Sequence, residues 1–174
     1  MTVTHKLSVK ASADHAWSVI GDDFVAVDKW MEAIGRAEAI PGPALPGAPA
    51  RGRNSHLRGK FAHMYQAEVI TAFDPTARSI DTEVTINGLG RFVPLKGYNA
   101  TISITETGPD TCTLTYSGEA ITKWFGKPMK NALTNSMKAG YLRGLEELAH
   151  YIETGEPHPR KVETQKADAA LAAA

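Results

Sequence analysis

The last strong pattern in the sequence is one long amphipathic helix, predicted from Gly126 to Thr154, and it limits how the preceding residues can fold. Its apolar side chains recur at helical spacing, from Met129 through Leu145 to Ile152. Gly155 then supplies a helix stop, with prolines soon after it. No other predicted element is long enough to cover a large sheet, so a sheet formed earlier in the chain has to pack on this helix.

Successive antiparallel hairpins are predicted between Arg51 and Trp124. Turn residues interrupt the pattern at Gly59-Lys60, Asp74-Pro75, Asn87–Gly90 and Gly108–Asp110, because Gly tolerates positive φ and Pro presets φ. Between these turns, apolar and polar residues alternate, which is the period of a sheet with one buried face. Strands grouped apart from helices indicate an α+β fold, with a curved antiparallel sheet wrapped around the long C-terminal helix. Such a sheet and helix tend to leave a hollow where they diverge, which is a common place for a ligand site.

The N-terminal residues predict one further strand and two short helices. Val3–Val9 alternates between polar and apolar residues, as a half-buried strand does. Ser12 is a good N-cap for the first helix, and apolar residues from Phe24 to Ile34 indicate the second. Pro41–Ala50 holds four prolines and two glycines, so we expect a loop there.

The 174 residues suit a single domain of ordinary size. Residues 1–155 account for all of the elements above, and we expect them to form one ligand-binding domain. Residues 156–174 hold charged residues and an alanine run but no evident buried partner. We therefore expect a flexible C-terminal tail or a frayed helix there.

Composition limits the classes of partner and the cellular location that we expect for the chain. It carries 19 basic and 19 acidic residues, so the formal net charge is zero, whereas a nucleic-acid-binding protein normally carries a basic excess. The single cysteine, Cys112, excludes an internal disulfide and fits a reducing compartment. No apolar stretch approaches the ~20 residues that span a bilayer. We expect a cytoplasmic protein without nucleic acid or stable membrane insertion, as a monomer or a homodimer.

Five stretches of the chain share loose motifs with one protein superfamily. They are residues 9–17, 24–30, 88–102, 114–117 and 144–148. In this order they resemble the START/Bet v1-like superfamily, also called SRPBCC, and within it the polyketide cyclase/dehydrase and lipid-transport type. The resemblance covers roughly Met1 to Ile152. It implies a helix-grip fold with a hydrophobic cavity between the sheet and the C-terminal helix, and it implies no metal or organic cofactor.

The first hairpin of the sheet offers four polar candidates for chemistry in such a cavity. With the glycine–lysine dipeptide as a two-residue turn, His56 pairs with His63 and Asn54 pairs with Tyr65. These side chains share the face that would turn inward. We predict His56, His63 and Tyr65 as acid–base groups of a catalytic site, and Asn54 as a ligand contact.

The opposite face of this hairpin carries charge-complementary residues and is predicted to be solvated. It comprises Arg51, Arg53, Ser55, Gln66 and Glu68. A slip of one residue would exchange the two faces, so Arg53 stays a candidate for ligand binding. The histidines could instead be solvated at the mouth of the sheet. They show none of the usual zinc-ligand spacings, so we expect no metal site.

Five further side chains are predicted to contact a ligand in the cavity. They are Trp30, Tyr98, Tyr116, Met137 and Tyr141. Tyr98 and Tyr116 share the inward parity of neighbouring strands, whereas Met137 and Tyr141 lie on the apolar side of the long helix. Trp30 ends the second short helix, near the cavity entrance that the family implies. Such side chains can stack on or enclose a flat or greasy ligand, and ordinary core packing is the alternative for each.

Three functions are compatible with these residues. The first, which we favour, is binding of a hydrophobic or aromatic small molecule, such as a lipid, an isoprenoid or a polyketide-like compound, without a cofactor. The second is a cyclase, aromatase or dehydratase that uses His, Tyr and Arg residues of the cavity as acid–base groups. The third is a non-enzymatic interaction or regulatory module acting through the residues after Gly155.

Overall fold

The structure, a computed structural model, describes residues 2–172 and is built on a seven-stranded antiparallel sheet. The strands are β1 Val3–Val9, β2 Ile34–Ala39, β3 Gly52–Leu57, β4 Tyr65–Asp74, β5 Ser79–Asn87, β6 Leu95–Gly108 and β7 Thr111–Thr122. Their order across the sheet is β1-β7-β6-β5-β4-β3-β2. Each strand from β2 to β7 pairs with its sequence neighbour, and β1 pairs with β7. The predicted α+β class with an antiparallel sheet is confirmed.

Short helices connect β1 to β2, as predicted. Helix α1, Ala13–Trp17, begins where the Ser12 hydroxyl accepts the His15 backbone N–H at 3.2 Å. The chain continues through a π-helical turn, Ser18–Asp22, and a 3-10 helix, Phe24–Lys29. The predicted second helix is therefore shorter than expected, since Ile34 already begins β2.

The long C-terminal helix is present but interrupted. It consists of a 3-10 helix, Trp124–Met129, followed by α2, Lys130–Ser136, and α3, Lys138–Thr154. The break falls at Met137. The Thr134 hydroxyl accepts the backbone N–H of Ala120 at 3.0 Å, which ties α2 to β7. Gly155 ends α3 with a φ of 75°, the left-handed conformation of a glycine stop. Among residues 2–172, no helix has the length and apolarity needed to cross a bilayer.

The main core lies between the inner face of the sheet, the first helical segments and α3. It includes Val9, Trp17, Ile34, Ile80, Leu114, Leu145 and Ile152. A second buried cluster surrounds Tyr98 and Tyr141. The predicted alternation with one buried face is confirmed on β5, β6 and β7, because Val84, Ile104 and Leu114 are each at most 4 % exposed.

The β3–β4 hairpin has a different register from the predicted one. Gly59–Phe61 forms a 3-10 turn, and β4 does not begin until Tyr65, so the connection is longer than two residues. His56 therefore pairs with Tyr65, and Arg53 pairs with Glu68.

The two faces of this hairpin are also exchanged. Ser55 is fully buried, and the side chains of Arg53 and Glu68 are 12 % and 10 % exposed. The sequence predicts these charges to be solvated because they form a charge-complementary face. In the structure they neutralise each other across neighbouring strands, which makes an inward orientation tolerable.

Residues 156–172, for which we predict a flexible tail or a frayed helix, contain a docked helix, and the last two residues of the predicted tail, 173 and 174, lie outside the described residues. Helix α4 spans Pro159–Ala172. Lys161 is 2 % exposed, and its ammonium group donates to the carbonyl oxygens of Met31 at 2.9 Å and Ile34 at 3.0 Å. The sequence does not predict this docking, because the acceptors for Lys161 are backbone carbonyls, which do not depend on residue type.

Candidate functional site

A cavity of about 410 Å³ lies between the inner face of the sheet and the C-terminal helices. Sites for small molecules commonly have volumes of ~300–1,000 Å³, so the cavity suits a ligand of modest size. Most of its wall is apolar. Representative apolar lining residues are Val19, Phe24, Ile80, Ile86, Ile102 and Leu148. The hollow that the sequence predicted between sheet and helix is therefore present.

One charged pair, Arg53 and Glu68, lies on this wall where β3 meets β4. Arg53 donates from Nε to Glu68 Oε1 at 2.9 Å and from Nη2 to Glu68 Oε2 at 2.8 Å. The Ser55 hydroxyl also donates to Glu68 Oε1, at 3.0 Å. Arg53 Nη1 donates to the carbonyl oxygen of Phe24, whose ring centroid lies 4.3 Å from the guanidinium carbon. A guanidinium carries more N–H groups than these bonds use, so Arg53 keeps donor capacity for a ligand.

Three tyrosines, Tyr98, Tyr116 and Tyr141, form a cluster on the same wall. The ring centroid of Tyr141 lies 5.8 Å from that of Tyr98 and 4.9 Å from that of Tyr116. The Tyr98 hydroxyl donates to Gln66 Oε1 at 3.0 Å, and the Tyr141 hydroxyl lies 3.6 Å from the Met137 sulfur. Burial raises the pKa of all three phenols above the usual range, because desolvation disfavours the phenolate. These hydroxyls therefore remain protonated donors at neutral pH.

The segment between the first 3-10 helix and β2 borders the cavity beside α3. Trp30, Met31 and Ala33 of this segment line the cavity. A Cβ at Gly144 of α3 would lie 3.4 Å from the terminal methyl of Met31, so helix and segment approach closely. Lys161 of α4 holds the segment through its two carbonyl contacts, and burial lowers the pKa of this lysine from its usual value.

The structure brings six of the ten predicted site residues to the cavity wall. They are Trp30, Arg53, Tyr98, Tyr116, Met137 and Tyr141. They come from the segment before β2, from β3, β6 and β7, from the break between α2 and α3, and from α3. The sheet and the interrupted helix thus gather residues that are far apart in the sequence.

The remaining four predicted site residues do not line the cavity. They are His56, His63, Tyr65 and Asn54. His56 lies 3.3 Å from Glu38 and stacks on Tyr65 with ring centroids 5.5 Å apart. His63 is exposed in the turn before β4. The prediction that these side chains face the cavity is wrong because the hairpin faces are exchanged. Among the residues that the structure describes, no group of three or more His, Cys, Asp or Glu could hold a metal ion.

Three polar residues of this site are predicted from the sequence to be solvated: Ser55, Gln66 and Glu68. Gln66 and Glu68 line the cavity, and Ser55 lies behind them in the buried layer. One signal pointed to the inner face: Ile70 shares the parity of Gln66 and Glu68 on β4 and is 4 % exposed. The adjacent Val69 is also apolar, however, so alternation alone did not distinguish the two faces.

Comparison with known proteins places this fold in a family. Residues 1–153 match the family described as polyketide cyclase / dehydrase and lipid transport. No curated protein matches the chain significantly. Among solved structures, a START superfamily protein from Mycobacterium smegmatis is similar, with 17% identity, a TM-score of 0.63, and coverage of 84% of this chain and 92% of that one.

Two enzymes are also similar in structure. The Zhui aromatase/cyclase from Streptomyces sp. R1128 has 14% identity and a TM-score of 0.66, with coverage of 88% of this chain and 93% of that one. Norcoclaurine synthase from Thalictrum flavum has 22% identity and a TM-score of 0.61, with coverage of 87% of this chain and 86% of that one. At these identities the likeness establishes the helix-grip fold but not a shared activity. Because the family match covers residues 1–153 of the 174 and the fold agrees with it, this chain belongs to the polyketide cyclase/dehydrase and lipid transport family.

Proposed function

We propose that this chain binds a largely apolar small molecule that carries an oxygen-bearing polar end. The proposal rests on the 410 Å³ cavity, whose wall is mostly apolar but includes the Arg53–Glu68 pair and the tyrosine hydroxyls. Burial of apolar ligand surface supplies a favourable free energy in proportion to its area. A polar ligand group entering the same space needs hydrogen-bond partners, and this part of the wall supplies them.

The polar region of the wall favours a neutral ligand group over a charged one. Glu68 already neutralises Arg53, and the pKa values of the nearby phenols are raised, so those groups carry no charge. A hydroxyl or carbonyl oxygen fits such a region because it accepts hydrogen bonds without bringing a charge to be buried. The proposed ligand class is therefore an oxygenated lipid, isoprenoid or aromatic polyketide-like compound.

Calorimetric titration with naphthol, an apolar aromatic with one hydroxyl, tests the location of binding. Ala100 lines the cavity and is 7 % exposed, so Ala100→Leu places extra side-chain volume there. We expect the wild-type chain to bind naphthol and Ala100→Leu to bind it at least about tenfold more weakly, or ~1.4 kcal/mol. The matched control is Ala72→Leu at an exposed position of β4, which should bind as the wild type does. Equal affinity for all three proteins would rule out this cavity as the binding site.

A second comparison tests the polar end. The wild-type chain should bind naphthol more tightly than naphthalene, because the hydroxyl gains hydrogen bonds on the cavity wall. In the double variant Arg53→Met/Glu68→Gln, we expect naphthalene binding to persist and the preference for naphthol to shrink. If the double variant prefers naphthol over naphthalene as strongly as the wild type does, Arg53 and Glu68 do not recognise the polar end of the ligand.

The same polar groups favour a second candidate function, a cofactor-free cyclase or dehydratase. An apolar cavity holds a carbonyl chain in a folded conformation, and preorganised donors stabilise an enolate oxygen as it forms. Tyr98 and Tyr116 supply donors of this kind on the adjacent strands β6 and β7, and Arg53 supplies another from β3.

Enzymatic activity is tested by incubating the chain with a poly-β-ketone thioester and following dehydrated cyclic products by mass spectrometry. An enzyme forms them faster than buffer alone, and Arg53→Met/Glu68→Gln slows their formation. If the wild-type chain binds the thioester but forms the products no faster than buffer, binding is the function and the enzymatic candidate is excluded.

A further inference from the structure

Two large aromatic side chains project into solvent, one from the loop between β5 and β6 and one from the start of the 3-10 helix that follows β7. Phe92, between β5 and β6, is 83 % exposed, and Trp124, just after β7, is 82 % exposed. Val93, Phe125 and Met129 beside them are also exposed apolar side chains. We define the aromatic–basic patch as Arg91, Phe92, Val93, Lys123, Trp124, Phe125, Lys127 and Met129.

The loop and the 3-10 helix that carry the patch are held together by specific contacts. The Lys123 ammonium donates to the carbonyl oxygens of Gly90 at 3.4 Å and Arg91 at 3.0 Å. The backbone N–H of Lys123 donates to the carbonyl oxygen of Pro94 at 2.8 Å. A Cβ at Gly126 would lie 2.7 Å from the same Pro94 oxygen, so only a glycine allows this approach. These contacts fix the loop and the 3-10 helix in the positions that leave the aromatic side chains exposed.

The charged residues in the two segments that carry these aromatics are all basic. Residues 88–98 contain Arg91 and Lys96 and no acidic residue, and residues 120–141 contain four lysines and no acidic residue. On the sheet nearby, Glu119 pairs with Lys130 at 3.2 Å, and Glu83 lines a surface hollow together with the three lysines Lys96, Lys127 and Lys130. No ion pair involves Arg91, Lys123 or Lys127 among the described residues. The chain as a whole has no net charge, so this basic surface is a local feature.

We propose that the aromatic–basic patch docks on the surface of an anionic phospholipid bilayer. Trp and Phe side chains are favoured at the membrane interface, and neighbouring Lys and Arg side chains are attracted to anionic headgroups. Side chains that project from loops can enter the headgroup region singly, whereas a protein partner is usually met by a broad patch whose centre is depleted of charge. Leu95, two residues after Val93 of the patch, lines the cavity, so docking would bring the cavity close to the lipid. The proposal does not depend on ligand binding in the cavity.

Vesicle flotation tests the proposal directly. We expect the wild-type chain to float with vesicles of phosphatidylcholine and phosphatidylserine, and far less with vesicles of phosphatidylcholine alone. Phe92→Ser/Trp124→Ser should reduce the floated fraction at least tenfold, and Arg91→Glu/Lys127→Glu should abolish the dependence on phosphatidylserine. All four positions are on the surface, and circular dichroism checks that the variants are folded.

Matched controls change the same chemistry away from the patch. Leu45→Ser alters an exposed apolar side chain in the loop between β2 and β3, and Lys6→Glu alters an exposed lysine on β1. Both should float like the wild type. The wild-type chain gives an independent readout, because Trp17 and Trp30 are buried and Trp124 is exposed. Its fluorescence should shift to the blue when phosphatidylserine vesicles are added.

Three results would overturn the proposal. The first is a wild-type chain that neither floats nor shifts its fluorescence with anionic vesicles. The second is flotation that the patch variants retain. The third is a wild-type dimer that ignores vesicles and becomes monomeric in Phe92→Ser/Trp124→Ser, since that result would make the patch a contact between protein chains.

Discussion

Arg53 and Glu68 are charged side chains on the wall of a mostly apolar cavity, and each depends on the other to remain there. The two parallel hydrogen bonds between guanidinium and carboxylate are the geometry in which such pairs are strongest. The Ser55 hydroxyl donates a further hydrogen bond to Glu68, and the Phe24 carbonyl accepts one from Arg53. Removing one partner leaves an uncompensated buried charge, which is more destabilising than removing both.

Arg53→Met should therefore lower the free energy of unfolding by about 3–5 kcal/mol, and Arg53→Met/Glu68→Gln should recover most of that loss. Urea unfolding followed by circular dichroism measures both. The control is Lys29→Met, which removes a partner from the exposed Lys29–Asp23 pair at 3.7 Å and should cost less than ~1 kcal/mol. Equal losses in Arg53→Met and Lys29→Met would mean that the cavity pair is solvated rather than buried.

The tyrosine cluster predicts a dependence of stability on alkaline pH. The pKa values of Tyr98, Tyr116 and Tyr141 are raised in the folded chain, so above pH ~10, the ordinary tyrosine value, the unfolded chain holds fewer protons than the folded one. Stability present below that pH is then lost as the pH rises further. Spectrophotometric titration of tyrosinate in the folded chain and in urea measures the difference. Ordinary titration of all tyrosines in the folded chain would contradict burial of the cluster.

At the scale of elements, α4 acts as a brace for the segment that borders the cavity. Lys161 binds the carbonyl oxygens of Met31 and Ile34, and Arg58 before the β3–β4 turn pairs with Asp168 of α4 at 3.2 Å. These contacts join the C-terminal helix to the segment that includes Trp30. The position of the cavity wall therefore depends on residues beyond the end of α3.

Lys161→Met should loosen this segment, because it leaves two carbonyl oxygens without their donor at a cost of about 1–3 kcal/mol. Hydrogen exchange followed by mass spectrometry should show faster exchange in peptides that cover residues 30–34. Lys166→Met changes an exposed lysine of the same helix and should leave exchange unchanged. Identical exchange in the two variants would show that α4 does not support the cavity wall.

The elements differ in how well the sequence predicts them. Turn residues located β3 to β7, and alternation supported β5, β6 and β7, which have one apolar face. The break at Met137 could not be predicted, because the apolar spacing continues across it. The β3–β4 register also escaped prediction, since the Gly59–Phe61 turn adds residues that the glycine–lysine dipeptide does not reveal.

At the scale of the whole molecule, the change from strand period to helix period was enough to predict the fold class. It also predicted the hollow, because a curved sheet and a long helix diverge. The polar residues that line the hollow were harder to predict. Because the opposite face of one hairpin turns inward, Arg53 and Glu68 line the cavity, and His56 and His63 do not. Apolar residues such as Tyr98 and Tyr141 were located correctly because their strand or helix period is unambiguous.

Intermolecular nuclear Overhauser effects between naphthol and the wild-type chain measure most directly whether the hollow is a binding site. If naphthol enters the cavity, its ring protons should show contacts to Ala100, Ile102 and Leu145, and the contacts should weaken in Ala100→Leu. Contacts confined to Phe92 and Trp124 on the surface, or none at all, would contradict ligand binding between the sheet and α3.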